Sequence, residues 1–476
     1  MIRYRRKHNK AYGVSWDESQ DSPTCARLGQ GRSVAAAAKL PDNLMALQSR
    51  MKRCVINNAG VIQYYLDPTD STKKADGSAA DLTGADGQVM VEIPQGWLKY
   101  NYSGTTHQWL ISKEQFNGAS RLNAYYKNDA WVANRYMSAY EGVLYDVSAL
   151  IYTDGIYQPA VSCVFANVDK SLTIASLSGV FSKLTVGDKI VVSGTVANNG
   201  TKTVASLVSA TKITISEAVT DGTDAATVIQ TEKDWTATTG DVLASVSGKA
   251  PINYGTRANF RAAALNRGAG WRQQDYDLSS AIQLLYLIEY ASFYSQSMIG
   301  AGLTDWAAAW PAYNNYNPIN FTGLTNSLGN ATGNISNGDG VVGSYMTYRG
   351  IENWYGHLWK WGDGISINAN VPYVTNTQPF TDDTAVNYTD LGITLANANG
   401  YQNTLEQISR GFLPASVGAP ASATTKITDY YWQAAGWVVV RLGGSADNGA
   451  SAGAFCMNAY DASGDAVRSI GSRLAF

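Results

Sequence analysis

Between residues 161 and 230 the chain alternates apolar and polar residues in short runs, and that pattern leaves few folds open. The runs 172–174, 189–192, 203–205 and 212–215 are rich in β-branched residues, with turn residues between them, among them Gly187-Asp188 and Asn198-Asn199-Gly200. A side chain that meets a core at every second position marks a strand buried on one face. An Asn-Gly step supplies the positive φ angles that a tight hairpin needs. The stretch predicts a small antiparallel, sandwich-like β domain over 161–247, inserted into a chain of different style. Aromatic residues are few there and no side chains with evident chemistry concentrate in it, so it reads as a spacer or an auxiliary binding module.

Outside that stretch the chain is aromatic and weakly charged. Only 16% of the 476 residues are charged, whereas Gly (45), Tyr (29) and Trp (13) are abundant, which predicts surfaces built from rings and neutral polar groups. Rigid aromatic anchors beside small adaptable polar residues make contacts at low entropic cost. The plainer reading is that any loop-rich β protein has this composition. The net charge of −2 gives the whole chain no sequence-independent attraction to nucleic acid. One basic run, Arg3, Arg5, Arg6, Lys7 and Lys10, reads either as an arm for an acidic partner or as a solvated tail. That start runs into polar residues rather than an apolar core, and no apolar stretch approaches the about eighteen residues of a membrane span. Synthesis in the cytosol without membrane insertion is expected. Cys25, Cys54, Cys163 and Cys456 lie far apart with no CxxC pair, so buried thiols are expected rather than a disulfide framework or a zinc site.

Four segments follow from the changes of style. Residues 1–85 carry a helical-looking stretch at 42–51, strands near 54–56 and 61–66, and a polar loop at 67–77. The Asp67, Asp70 and Asp76 of that loop do not follow the EF-hand spacing. Residues 86–160 open on a strand at 89–94 and continue with one at 108–112. The inserted domain occupies 161–247. In 248–476, Asp277 or Ser279 is placed to cap a helix reaching about 298, with Ile282, Leu285, Ile288 and Tyr294 on one side. A second helix is expected over 257–271, its Arg257, Arg261, Arg267 and Arg272 exposed or paired. Glycine and asparagine fill 314–340, either as a ligand-facing surface or as a coat over the core.

Three blocks near the end carry a resemblance. They are Glu352-Asn353-Trp354-Tyr355-Gly356-His357-Leu358-Trp359-Lys360-Trp361, then Val438-Val439-Val440-Arg441-Leu442-Gly443-Gly444-Ser445, then Ser469-Ile470-Gly471-Ser472-Arg473-Leu474. In this order they resemble the formylglycine-generating-enzyme (sulfatase-modifying) branch of the C-type lectin fold, and Met90-Val91-Glu92-Ile93-Pro94 looks like that branch's opening strand. A nearer likeness is to phage and prophage tail proteins and to the retroelement-diversified variable proteins built on this scaffold, over 89–159 and 249–476. The resemblance implies an α+β fold: a C-type-lectin-like domain, an inserted small all-β domain and an N-terminal segment attaching the chain to a virion. The tryptophans suit a core and its rim. The Gly443-Gly444 pair suits close approach of another segment, and Arg473 suits loop carbonyls or an acid.

Signatures of catalysis are missing from the sequence. Catalytic members of that branch use a cysteine pair or a histidine-based iron site, whereas this region holds Cys456 alone. His8, His107 and His357 are scattered. No GxSxG, HExxH or Walker pattern occurs, and pairing Glu352 with Asp363 as glycosidase acids would be arbitrary among so many carboxylates. No enzyme activity, cofactor or metal is expected. In the variable proteins the binding surface lies between the Gly-Gly-Ser block and the last strand, together with an aromatic cluster before it. Carried onto this sequence, the resemblance implies Tyr430, Tyr431, Trp432, Ser445, Ala446, Asp447, Asn448, Asn458, Tyr460, Asp461 and Ser463 as ligand-binding residues. The alternative places 430–432 in the core and the rest in ordinary loop.

Function reduces to three readings. The first is a tail-fibre or tail-tip adhesin recognising a host-surface glycan or protein, resident in the virion, made in the bacterial cytoplasm, and trimeric as such fibres commonly are. The second is a structural fibre, collar or decoration component whose aromatic patch is covered by a neighbouring subunit. The third, a modifying enzyme or glycan depolymerase, needs a convergent acid pair or a metal.

Overall fold

The computed structural model describes residues 10–148, 150–153, 157–174, 181, 184, 186–231, 240–305, 321–336 and 344–476, without the side chains of residues 151, 153, 157–160 and 230–231. The basic residues Arg3 to Lys7, and residues 314–320 and 337–340 of the glycine- and asparagine-rich run, lie outside the described residues. The chain is mostly β, with 40% strand against 11% helix, and this overturns the α+β class expected from the resemblance. The reason is that the α-helices among the described residues are few and short: Arg257–Leu265 (α1), Tyr276–Tyr290 (α2) and Ser295–Ile299 (α3). Most of the remaining regular structure among the described residues is strand.

Pairing is strongly non-local. A six-stranded sheet runs in the order Arg272–Gln273, Leu474–Ala475, Asn134–Ser138, Gln88–Pro94, Lys52–Ile56 and Ile62–Tyr65, so the end of the chain lies beside its first third. A second sheet joins Tyr12–Asp17 to Thr106–Ser112 and Trp97–Ser103. Strands of residues 10–85 thus share sheets with later ones, and Tyr12, Val14 and Leu47 share a core with α2. The largest sheet carries the C-terminal region. In order it runs Thr389–Asp390, Val371–Val374, Trp359–Asn368, Trp437–Leu442, Met457–Asp461, Ile427–Gln433, Gly400–Leu405 and Pro414–Val417, with Ile470–Gly471 beside Trp359–Asn368.

Helix α2 is buried on every side, as a helix crossing the centre of a large domain must be. Its cap is Asp275, which accepts from Leu278 N at 2.9 Å, whereas Asp277 is bound bidentately to Arg410 at 2.8 and 2.7 Å. The helix stops at Tyr290 rather than near 298 because Ala291 turns left-handed at φ 50°. Ala291 and Phe293 then bond to Cys25 and Pro23. Helix α1 ends at Leu265, and Gly268 and Gly270, both at positive φ, end the stretch expected to run to 271. The helix expected at 42–51 is instead two 3-10 turns, Asp42–Leu44 and Gln48–Arg50. Tertiary contacts override the local pattern there: Gln48 accepts from Tyr12 Oη at 2.7 Å and donates to the Leu285 carbonyl at 2.9 Å.

Six strands close into a barrel, Tyr157–Ala166, Ser171–Ile174, Lys212–Ile215, Gly200–Ser209, Lys189–Ser193 and Gly222–Thr231, rather than stacking as a sandwich. Closure removes the exposed edges that two small sheets would leave. Its core, including Phe165, Leu172, Ile190, Ile213 and Ile229, draws on no residue outside 161–229 among the described residues. Strands Ile151–Thr153 and Val242–Ala244 flank the barrel in sequence, and both pair with Val143–Asp146.

Candidate ligand-binding surface

Strands Ile427–Gln433 and Met457–Asp461 run parallel, with Tyr431 opposite Met457 and Trp432 opposite Asn458. Successive side chains leave a strand on opposite faces. Tyr431 and Met457 therefore join Ile365, Ile367 and Val440 in the core, while Tyr430, Trp432 and Asn458 take the other face. On that face Tyr430 and Trp432 lie 4.5 Å apart between centroids. Tyr401 of the next strand packs edge-on to Tyr430 at 5.1 Å, and Trp359 edge-on to Trp432 at 5.6 Å. Tyr460 stands at the rim, 56% exposed.

Polar groups border the rings. Arg441, opposite Asn458 across the strand pair, lies 5.0 Å over the Trp359 ring and 2.5 Å from Asp461. Burial pushes the Asp461 carboxyl up to about 6 even with that guanidinium beside it. Asn458 Oδ1 accepts from Tyr460 N at 2.9 Å. Beneath the face, burial drives Asp429 up to about 8 while it accepts from Phe455 N at 2.6 Å.

The other expected residues lie elsewhere. Ser445 is buried and locks its own turn, its Oγ donating to Asp447 at 2.5 Å and its backbone N to Asn448 Oδ1 at 2.7 Å. Ala446 is buried with Leu303, Tyr345 and Leu358. Asp447 alone of these is exposed. Ser463 donates to Asp383 at 2.6 Å. The structure thus gathers Tyr430 and Trp432, both half-buried, with the exposed Tyr460, over the buried Asn458 and Asp461. It sets Tyr431, Ser445 and Ala446 inside. Tyr401, absent from the expected set, extends the face, and the buried Trp359 and Arg441 support it from within. Trp359 and Arg441 stand in two of the closing blocks, but the pairing of Tyr401 with Tyr430 leaves no mark in the sequence.

The closing blocks hold the region in place. Gly443 at φ 89° lies where a Cβ would come within 3.2 Å of the Trp354 carbonyl, and a Cβ on Gly444 would meet that of Ala452 at 2.5 Å. Arg473 donates to the carbonyls of Glu352, Asn353 and Ser138. Glu352 accepts from Gly323 N and Thr325 N at 2.8 and 2.7 Å, and Asp363 is held bidentately by Arg261 at 2.7 Å, so both carboxylates serve as internal struts. His357 bonds to Glu141, which also lies 3.0 Å from Lys360. Burial acts to raise Glu141, but His357 and Lys360 hold it below its ordinary value, while burial brings Lys360 down to about 8. All three are enclosed. No group of three or more metal-ligating side chains occurs among the described residues.

No protein-family model matches the chain. No curated protein matches it. Among solved structures it is similar to one named Major Tropism Determinant P3c Variant, at 11% identity over 83% of this chain and 83% of that one, with a TM-score of 0.21.

Proposed function

We propose that the chain is a non-catalytic attachment protein of a bacteriophage-type particle, and that it binds a host-surface glycan or protein through the aromatic face of its C-terminal sheet. The observation that carries this reading is the set of ring contacts from Tyr401 through Tyr430 and Trp432 to Trp359, with Tyr460 open at its rim. Flat rings give contact area at low entropic cost, and the flanking amide and ion pair give direction. The closing blocks, which resemble those of phage tail proteins and the lectin-like variable proteins, support the particle context. In that setting the N-terminal segment contacts other tail proteins, the chain is a homotrimer, and it is made in the host cytoplasm before joining the virion.

The test is saturation binding of the full chain to host-type cells beside a Trp432→Ala/Tyr460→Ala variant. Saturable binding that the variant loses by about tenfold or more, at an unchanged melting temperature, supports the adhesin. Particles that assemble normally around a chain with no affinity for cells would replace it with the structural reading, the face then being covered by a neighbouring subunit.

A further inference from the structure

A groove of about 680 Å³, sharing no lining residue with the aromatic face, lies between the hairpin of Tyr126–Lys127 and Ala130–Trp131 and the edge of the large sheet. Residues 374–378, after strand Val371–Val374, form its floor, and Asn387 and Thr389 form the far wall. Its size lies within the range of small-ligand sites.

The hairpin is a fixed platform. Asn128 and Asp129 sit at φ 49° and 62°, the paired left-handed turn that suits a two-residue hairpin. Asn128 Oδ1 accepts from Arg272 at 2.7 Å and from Gln378 N at 3.2 Å, and Lys127 Nζ donates to the Gly270 carbonyl at 2.6 Å. Trp131 stands on this platform 45% exposed. Arg121 lies 5.2 Å from its ring and 5.4 Å from Trp97, and Tyr126 packs beside it at 5.2 Å. A large ring held open to solvent by so many fixed neighbours is already in the position a ligand would need, so little ordering cost remains.

Facing that ring, the groove is amide and hydroxyl. Gln378 Nε2 is buried without a hydrogen-bond partner among the described residues. Asn387 and Thr389 are exposed. Asn376 and Thr377 are held by Asn123 O at 3.0 Å and Asp129 at 3.2 Å. Charge is nearly absent: Arg410 is matched by Asp277 at 2.8 and 2.7 Å, leaving Asp129 as the one carboxylate on the lining.

We infer that this groove binds a neutral oligosaccharide. The negative face of an indole attracts the weakly positive C–H edge of a pyranose, and each side-chain amide offers a donor and an acceptor to neighbouring hydroxyls. Asp129 disfavours anionic chains. The site is separate from the aromatic face and stands whether or not that face binds a receptor.

The experiment probes the full chain on an array of neutral hexose and N-acetylhexosamine oligomers and neutral O-chain fragments, beside charged glycans. Retention of a neutral oligosaccharide is expected, insensitive to added salt. Trp131→Ala should weaken it at least about tenfold, Asn387→Ala by a smaller factor, and Trp432→Ala not at all. Both groove positions are exposed, so either variant is a fair test if the other lowers the melting temperature. Retention of charged glycans only, of none, or of a neutral one that survives both groove variants would overturn the inference. Loss confined to Trp432→Ala would move saccharide binding to the aromatic face.

Discussion

The inserted barrel and the body that carries it are both largely antiparallel β, yet they are held together in different ways. The barrel is made of strands close in sequence around an aliphatic core with Phe165 and Phe181, and among the described residues none outside 161–229 enters that core. The body joins strands far apart in sequence, and five of its largest fully buried side chains are arginines: Arg53, Arg135, Arg257, Arg272 and Arg473. Each satisfies carbonyls or carboxylates from distant segments. Arg135 donates to the Ala124 carbonyl at 2.6 Å, to Phe476 O at 3.1 Å and to Asp275 at 2.5 Å. Hydrophobic burial is non-directional, so a local strand pattern is enough to close the barrel. A body assembled from remote pieces also needs directional groups that fit only one arrangement.

That contrast gives its sharpest consequence at Arg135. Arg135→Ala removes the closer of the two guanidinium partners of buried Asp275, leaving Arg272 at 3.6 Å, a loss of about 3 kcal/mol. Differential scanning calorimetry should show the body's transition falling steeply while the barrel's stays in place. Equal shifts in both would mean that the two parts are not held independently.

A more gradual effect, spread over several pH units, separates them by pH. Asp429 belongs to the body and its folded value is raised to about 8. The stability it contributes is complete below the ordinary aspartate range and fades as pH rises through about 8, at roughly 1 kcal/mol per pH unit where it titrates. Asp461, raised to about 6, adds in the same direction over the lower part of that window. Denaturant unfolding of the body should show stability declining from mildly acidic to mildly alkaline pH. Asp429→Asn should flatten most of the slope, and a slope unchanged in that variant would remove Asp429 as its source.

The same contrast separates what was legible in the sequence from what was not. The runs at 172–174, 189–192 and 212–215 fall inside the strands Ser171–Ile174, Lys189–Ser193 and Lys212–Ile215, because period-two alternation is a local signal. Barrel closure instead of a sandwich was not legible, since it depends on Tyr157–Ala166 pairing with Gly222–Thr231. In the body the local signals mislead: 42–51 has helical spacing but is pinned by Tyr12 and Leu285. The aromatic cluster at 430–432 was visible as composition. The register that sends Tyr431 inward and its two neighbours outward is fixed by Met457 and Asn458, some 25 residues on. The groove at Trp131 has no local signature in the sequence, its two walls lying more than two hundred residues apart in the chain.

The central claim, that the C-terminal aromatic face is a free contact surface, is tested most directly by oxidative footprinting of the full chain, alone and bound to host-type cells. The account predicts that Tyr401, Trp432 and Tyr460 are oxidised in the free protein and protected on binding, with the barrel's pattern unchanged. Bound protein in which those three rings are oxidised as readily as in the free chain would contradict it.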